Sequence, residues 1–136
     1  MKEGASKLLL DTHIWLWAHL DPAKLAPRVA TALTSPKSEL WLSPITIWEV
    51  LLLIEKGRIV VPGDPRAWVD AAWARSPMHE AVLNREVAAR SRSVRVGHDD
   101  PADRFLAASA EVYDLTLVTS DAHLLKGKGY RTLANR

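Results

Sequence analysis

Short apolar runs that end abruptly at an acid or a Ser-Pro pair alternate along this chain with helical segments. That alternation restricts the fold more than any other feature. Lys7-Leu8-Leu9-Leu10 stops at Asp11, Leu40-Trp41-Leu42 at Ser43-Pro44, and Leu115-Thr116-Leu117-Val118-Thr119 at Ser120-Asp121. Runs this short, apolar on successive residues, suit strands buried on both faces. Tyr130 to Leu133 reads as a last edge strand, preceded by a loop that holds Gly127 and Gly129.

The intervening segments carry helix signals. One helix begins near Ala26, with Pro27 in its first turn, and ends before Ser35-Pro36. Ser43-Pro44 opens a second, from Ile45 to Lys56, which Gly57 stops. Asp64-Pro65 opens a third, with Trp68, Val69, Ala72 and Trp73 at helical spacing. A fourth covers about Asn84 to Ser91, and Asp100-Pro101 opens a fifth that runs to about Tyr113. Thr12 to His19 is too apolar for an exposed loop. Strands alternating with helices favour a parallel sheet covered on both faces.

Composition narrows the class. The 136 residues, 48% hydrophobic and 25% charged, suit one domain over 1–136, with no linker or internal repeat. No apolar stretch approaches the roughly 20 residues of a membrane span. Met1 to Lys7 lacks the apolar run of a signal peptide, so a cytoplasmic protein is the expectation. The absence of cysteine excludes disulfides and thiolate metal sites. Neither a P-loop nor a dinucleotide glycine pattern is present, which disfavours nucleoside triphosphate hydrolysis and hydride transfer. The net charge of +2 is small, yet its distribution is uneven. Bases gather at Arg85, Arg90, Arg92 and Arg95 and again at Lys126, Lys128 and Arg131, while acids concentrate at Asp99, Asp100 and Asp103. This reads either as a basic rim around an acidic pocket or as a mixed solvated surface.

The acids carry the chemistry. Ligands of open α/β sheets bind beyond the carboxyl ends of the strands, where Asp11 and Asp121 fall. Each acid taken alone equally suits a turn residue or a helix N-cap. Glu49 sits on an apolar helix with no base three or four positions away, and a buried carboxylate needs neutralising or a facing cation. Asp100 reads as an N-cap and Asp103 lies in the first turn of the same helix. Three acids within five residues repel one another unless a cation relieves them, or unless Arg104 pairs with one. Together these residues can build a pocket for Mg²⁺ or Mn²⁺ that clamps a phosphodiester. None of the five histidines makes a zincin-type pair; His98 reads as a loop cap or as a residue orienting a carboxylate. The six tryptophans read as core or dimer surface, although Trp15 or Trp17 lies near enough to Asp11 to touch RNA.

LLLDTHIWLW at 8–17, SPITIWEV at 43–50, HDDPADRFLAASA at 98–110 and LVTSDAHLL at 117–125 occur in that order. In this respect the chain resembles PIN-domain ribonucleases, and more closely the VapC-like toxins of type II toxin–antitoxin systems, from about Leu8 to Leu133. The resemblance implies a three-layer α/β/α fold around a mostly parallel sheet of four or five short strands. It implies a Mg²⁺- or Mn²⁺-dependent endoribonuclease that hydrolyses RNA with metal-activated water. Asp11 and Asp103 would be the principal metal ligands, with Glu49 and Asp121 completing the acidic site. Thr12, Thr46 and Thr119 would tune the carboxylates by hydrogen bonding, and Asp100 would cap and support. A VapB-like antitoxin is the implied partner, its C-terminal segment filling the groove, and such toxins are usually homodimers. Two departures stand out: Asp99 adds a fifth acid that is expected to perturb its neighbours, and 84–97 is unusually arginine-rich. Two other readings compete: a non-catalytic RNA- or protein-binding module, and a Mg²⁺-dependent phosphatase with Asp11 as nucleophile, which usually needs a lysine beside it.

Overall fold

The computed structural model describes residues 6–97 and 99–136; His98, read above as a cap or an orienting residue, lies outside them. In chain order the elements are β1 (Ser6–Leu10), α1 (Thr12–Leu20), α2 (Pro27–Thr34), β2 (Ser38–Leu42), α3 (Pro44–Glu55) and α4 (Pro65–Arg75). They continue with β3 (His79–Glu80), α5 (Arg85–Arg90), α6 (Pro101–Val112), β4 (Thr116–Thr119), α7 (Ala122–Lys126) and β5 (Arg131–Ala134). The five strands form one sheet in the order β3-β2-β1-β4-β5, and every pairing is parallel.

Alternation along each strand builds two cores. Leu8 and Leu10 of β1 face one side, with Leu42, Val118 and the buried residues of α1 to α4 (Ile14, Trp15, Val29, Val50 and Val69 among them). Leu9 and Leu117 point the other way, onto Val87 of α5, Leu106 and Ala107 of α6, and Leu124 of α7. This is the period-2 geometry of a strand buried on both faces. It makes the α/β fold a three-layer one.

Strand order also locates a crevice. From β1 the chain adds β2 and then β3 on one side, returns across the sheet to place β4 on the other side of β1, and continues outward to β5. The direction of winding reverses between β1 and β4, where ligand crevices form beyond the strand ends. Residue 11 lies at that point, since its backbone N–H donates to Val118 O at 3.0 Å and so extends the β1–β4 ladder by one residue.

Several local expectations hold with the boundaries shifted by a residue or two. The end of α3 is a Schellman motif: Gly57 N–H bonds Ile54 O, Arg58 N–H bonds Leu53 O, and Gly57 takes φ +72°. The Thr12–His19 segment is helix α1, capped by Asp11 and buried through Thr12, Ile14, Trp15 and Leu16. One element had no sequence signal, β3, whose two residues are both exposed, while α7 realises the N-cap alternative for Asp121. One expectation needs correction. Although α3 is apolar nearly all round, only Thr46 and Val50 on it are fully buried. It packs against α1, α4 and α6, and its remaining face is open, leaving Trp48 55% exposed. No described helix is long and apolar enough to cross a membrane.

Candidate active site

The acids gather at the reversal point because four elements deliver them there. Asp11 ends β1 and caps α1, its Oδ1 accepting from Thr12 N–H at 2.7 Å. Asp121 follows β4 and caps α7, accepting from His123 N–H at 2.7 Å and Leu124 N–H at 3.2 Å. Asp100 caps α6 through Ala102 N–H at 3.0 Å and Asp103 N–H at 3.5 Å, and Asp103 stands in the first turn of that helix. Glu49 enters from the middle of α3. The N-cap reading is realised for Asp11, Asp100 and Asp121, and these caps line one pocket together with Glu49 and Asp103. Three helix N-termini, each carrying partial positive charge, favour the carboxylates there.

Asp11, Thr12, His13, Trp17, Glu49, Asp100, Asp103, Ser120 and Asp121 line one open pocket of about 420 Å³. Two threonines tie its acids together. Thr119 Oγ1 donates to Asp11 Oδ2 at 2.6 Å and accepts from Asp121 N–H at 3.0 Å. Thr12 Oγ1 donates to Glu49 Oε1 at 2.5 Å. Thr46 differs: its hydroxyl is buried on α3, has no hydrogen-bond partner among the described residues and does not line the pocket.

The electrostatics are strained. Burial pushes the Asp103 carboxyl up to about 8, with the charges of Asp11, Asp100, Asp121 and Glu49 adding to the rise. Asp103 is only 8% exposed. Burial likewise raises Asp11 against the lowering effect of its bonds from Thr119 and Thr12. Glu49 is raised by its partial burial and by Asp11 and Asp100, and is lowered by the Thr12 hydroxyl. So Glu49 does have a hydrogen-bonding partner, supplied by α1 rather than by its own helix. Asp99 does not join the group. Its side chain is 96% exposed and lies 3.9 Å from Arg104 Nη1, while the charges acting on Asp103 come from the other four acids.

Pocket residues outside the expected set are His13, Ser120 and Trp17. The first two flank Asp11 and Asp121 so closely in sequence that adjacency was their only signal. Trp17 reaches the pocket while Trp15 is buried in the core, which settles which of the pair faces the acids. Residues 8–129 match the PIN domain family.

The chain belongs to the PIN-domain family.

Solved structures share the fold at low identity. Similar to this PIN domain is a chain of the DNA-bound VapBC from Salmonella typhimurium, at TM-score 0.68 and 19% identity, covering 96% of this chain and 99% of that one. FitAcB from Neisseria gonorrhoeae gives TM-score 0.64 and 20% identity over 94% and 97% of the two chains. VapBC-5 from Mycobacterium tuberculosis, a member of the VapBC family of toxin–antitoxin systems, gives 0.58 and 18% over 95% and 98%. No curated protein matches the sequence.

Among the described residues, no three Asp, Glu or His groups are drawn together as a formed metal centre. The acids line the pocket wall instead. Their chemistry fits a hard divalent cation: the donors are carboxylate oxygens, the chain has no cysteine, and among the described residues no lysine or arginine lines the pocket to neutralise them.

The threonine link gives a first prediction. Thr119→Val keeps the shape but leaves Asp11 Oδ2 and Asp121 N–H without their shared partner. Supporting groups of this kind typically contribute roughly 10–100-fold to activity. Turnover assayed beside a thermal melt should show that loss with the fold retained; full activity would mean that the link has no part in positioning Asp11.

Proposed function

We propose that this PIN domain is a Mg²⁺- or Mn²⁺-dependent endoribonuclease and the toxin of a toxin–antitoxin pair. The observation that carries the reading is Asp103. Asp103 shares one pocket with Asp11, Glu49, Asp100 and Asp121, and no lysine or arginine is among the pocket's described lining residues. Burial and the neighbouring acids both raise the Asp103 carboxyl, so a divalent cation would offset the charge gathered there. Asp11, Asp103, Glu49 and Asp121 would hold the ion. It would supply charge to offset the carboxylates and the scissile phosphodiester, and would activate the attacking water.

This chain's own residues then have defined tasks. Thr119 holds Asp11 Oδ2 and Thr12 holds Glu49 Oε1, so both carboxylates present a set orientation to the pocket. Asp100 fixes the first turn of α6 and with it the position of Asp103. The Thr46 hydroxyl has no hydrogen bond to the acids among the described residues, so any support it gives them would come through the packing of α3.

The phosphatase reading loses ground because no lysine lines the pocket beside Asp11. A non-catalytic binding module does not explain why four acids share a desolvated site. The deciding experiment incubates the purified protein with total RNA, with and without Mn²⁺, and sequences the RNA ends. Discrete new ends that require Mn²⁺ and disappear in EDTA are expected. No turnover on any RNA with Mn²⁺ supplied would leave the binding module as the better reading.

The toxin role rests on the likeness to VapBC and FitAcB chains, of which VapBC-5 is a member of the VapBC family of toxin–antitoxin systems. The acidic pocket would accept a basic side chain of an antitoxin segment. A homodimer belongs to the same reading. Trp15 is core, Trp17, Trp68 and Trp73 pack on it, and Trp41 stacks between His79 and Tyr113. That leaves Trp48, the one strongly exposed aromatic among the described residues, as the indole a second copy would cover. Sedimentation should show a dimer for the wild type and weaker association for Trp48→Ala; an unaffected dimer would place the contact elsewhere.

A further inference from the structure

The fold joins the two basic clusters. Arg95 and Lys128, far apart in sequence, form an isolated antiparallel bridge in which Lys128 N–H donates to Arg95 O at 3.0 Å. The junction is pinned from several directions. Arg104, buried, donates to Ser91 O at 2.8 Å and Val94 O at 3.2 Å, fixing the turn that carries Arg92 and leads to Arg95. On the facing segment, the Tyr130 hydroxyl donates to Leu124 O at 2.7 Å. Gly127 permits the close approach, because a Cβ there would lie 2.8 Å from Arg95 O.

The cations on this junction are not spent on ion pairs. Arg90 is held by Glu86 and Glu111, and Arg131 by Asp114. Arg92, Arg95, Lys126 and Lys128 are exposed and, among the described residues, have no acidic partner. The ridge also adjoins the acidic pocket. Lys126 ends α7, whose five residues span about 7 Å from the Asp121 cap. On the other segment, a Cβ at Gly97 would touch the His123 ring at 3.7 Å, and His123 Nδ1 lies 3.7 Å from Asp121 Oδ1.

We propose that Arg92, Arg95, Lys126 and Lys128 form a preorganised track for the phosphodiester backbone of the RNA strand that enters the pocket. Among the described residues no lysine or arginine lines the pocket, so attraction for a polyanion must come largely from its surroundings. Arg95 and Lys128 on the bridge, with Arg92 and Lys126 on the two segments it joins, supply four cations that have no acidic partner among the described residues. The proposal rests on the ribonuclease reading for its substrate, and its test separates the two.

The test measures binding of a short single-stranded RNA in EDTA, where cleavage is off, over a series of KCl concentrations. The variant is Arg95→Ala with Lys128→Ala, which spares the main-chain bridge; Arg66→Ala, whose guanidinium is paired with Asp70, is the control. Removing two phosphate contacts should flatten the slope of log Kd against log salt by about 1.4, and weaken binding at low salt by roughly tenfold or more. The control should match the wild type. In Mn²⁺ the double variant should raise KM with kcat unchanged. An unchanged salt slope overturns the track, and if the same variant also lost binding to polyglutamate, the ridge would be assigned to an acidic protein segment instead. A wild type that binds RNA through the ridge but cleaves none would refute the nuclease reading and leave the track standing.

Discussion

Replacing Asp103 with asparagine is expected to abolish cleavage and yet make the cation-free protein more stable. On the proposed assignment of Asp103 to the cation, the activity loss should be on the order of 10³-fold or more, because a carboxylate holding a catalytic metal is worth several kcal/mol of transition-state charge stabilisation. The stability gain follows from linkage. The folded-state pKa of Asp103 is raised to about 8 from an ordinary 3.8, so between these values the folded chain binds more protons than the unfolded one. Its contribution is therefore fully present below about pH 4 and is lost as pH rises through about 8. Asparagine keeps the shape without the titration. In EDTA at pH 8.0, relieving about 2 kcal/mol of that penalty would raise Tm by roughly 5–10 °C for a chain of this size. Mn²⁺ should then stabilise the wild type and leave the variant almost unmoved. A variant less stable than wild type in EDTA, or equal stabilisation of both by Mn²⁺, would refute the assignment of Asp103 to a cation site.

Gly127→Ala should cost the fold about 3 kcal/mol and lower Tm by roughly 10 °C. The reason is steric. Gly127 has an ordinary φ of −65°, so backbone strain plays no part. A Cβ would instead fall 1.9 Å from the Tyr130 hydroxyl, 2.7 Å from its ring and 2.8 Å from the backbone of Arg95. Tyr130 could swing away only by giving up its bond to Leu124 O, and Arg95 could not move without opening the bridge to Lys128. Thermal melts check the magnitude. Unaltered stability would mean that the two segments yield easily, and that the basic ridge is less rigid than its hydrogen bonds indicate.

Much of this architecture was legible residue by residue. Pro27, Pro44, Pro65 and Pro101 each mark a helix start in the structure, and Gly57 marks an end. These signals are local: they act through backbone geometry and orphan N–H groups, which depend on near neighbours in sequence. Where they were absent, the sequence was silent. His79-Glu80 became a strand only because Trp41-Leu42 offered a free edge, and nothing in two exposed polar residues announces that. Glu49 shows the same division. Its lack of a base on its own helix was readable, but its actual partner is a hydroxyl on α1.

For the carboxylate site, the chain's linear order was enough to state which acids follow strands, which open helices, and that the whole suits a parallel sheet with helices on both faces. It did not establish what those acids feel. The reversal between β1 and β4 brings residues 11, 49, 103 and 121 to one pocket, and only there do desolvation and mutual repulsion hold Asp103 near 8. The bridge that merges two distant basic clusters is of the same kind. Capping and periodicity are short-range and are written locally, whereas burial and Coulomb interaction depend on distances that exist only once the sheet has formed.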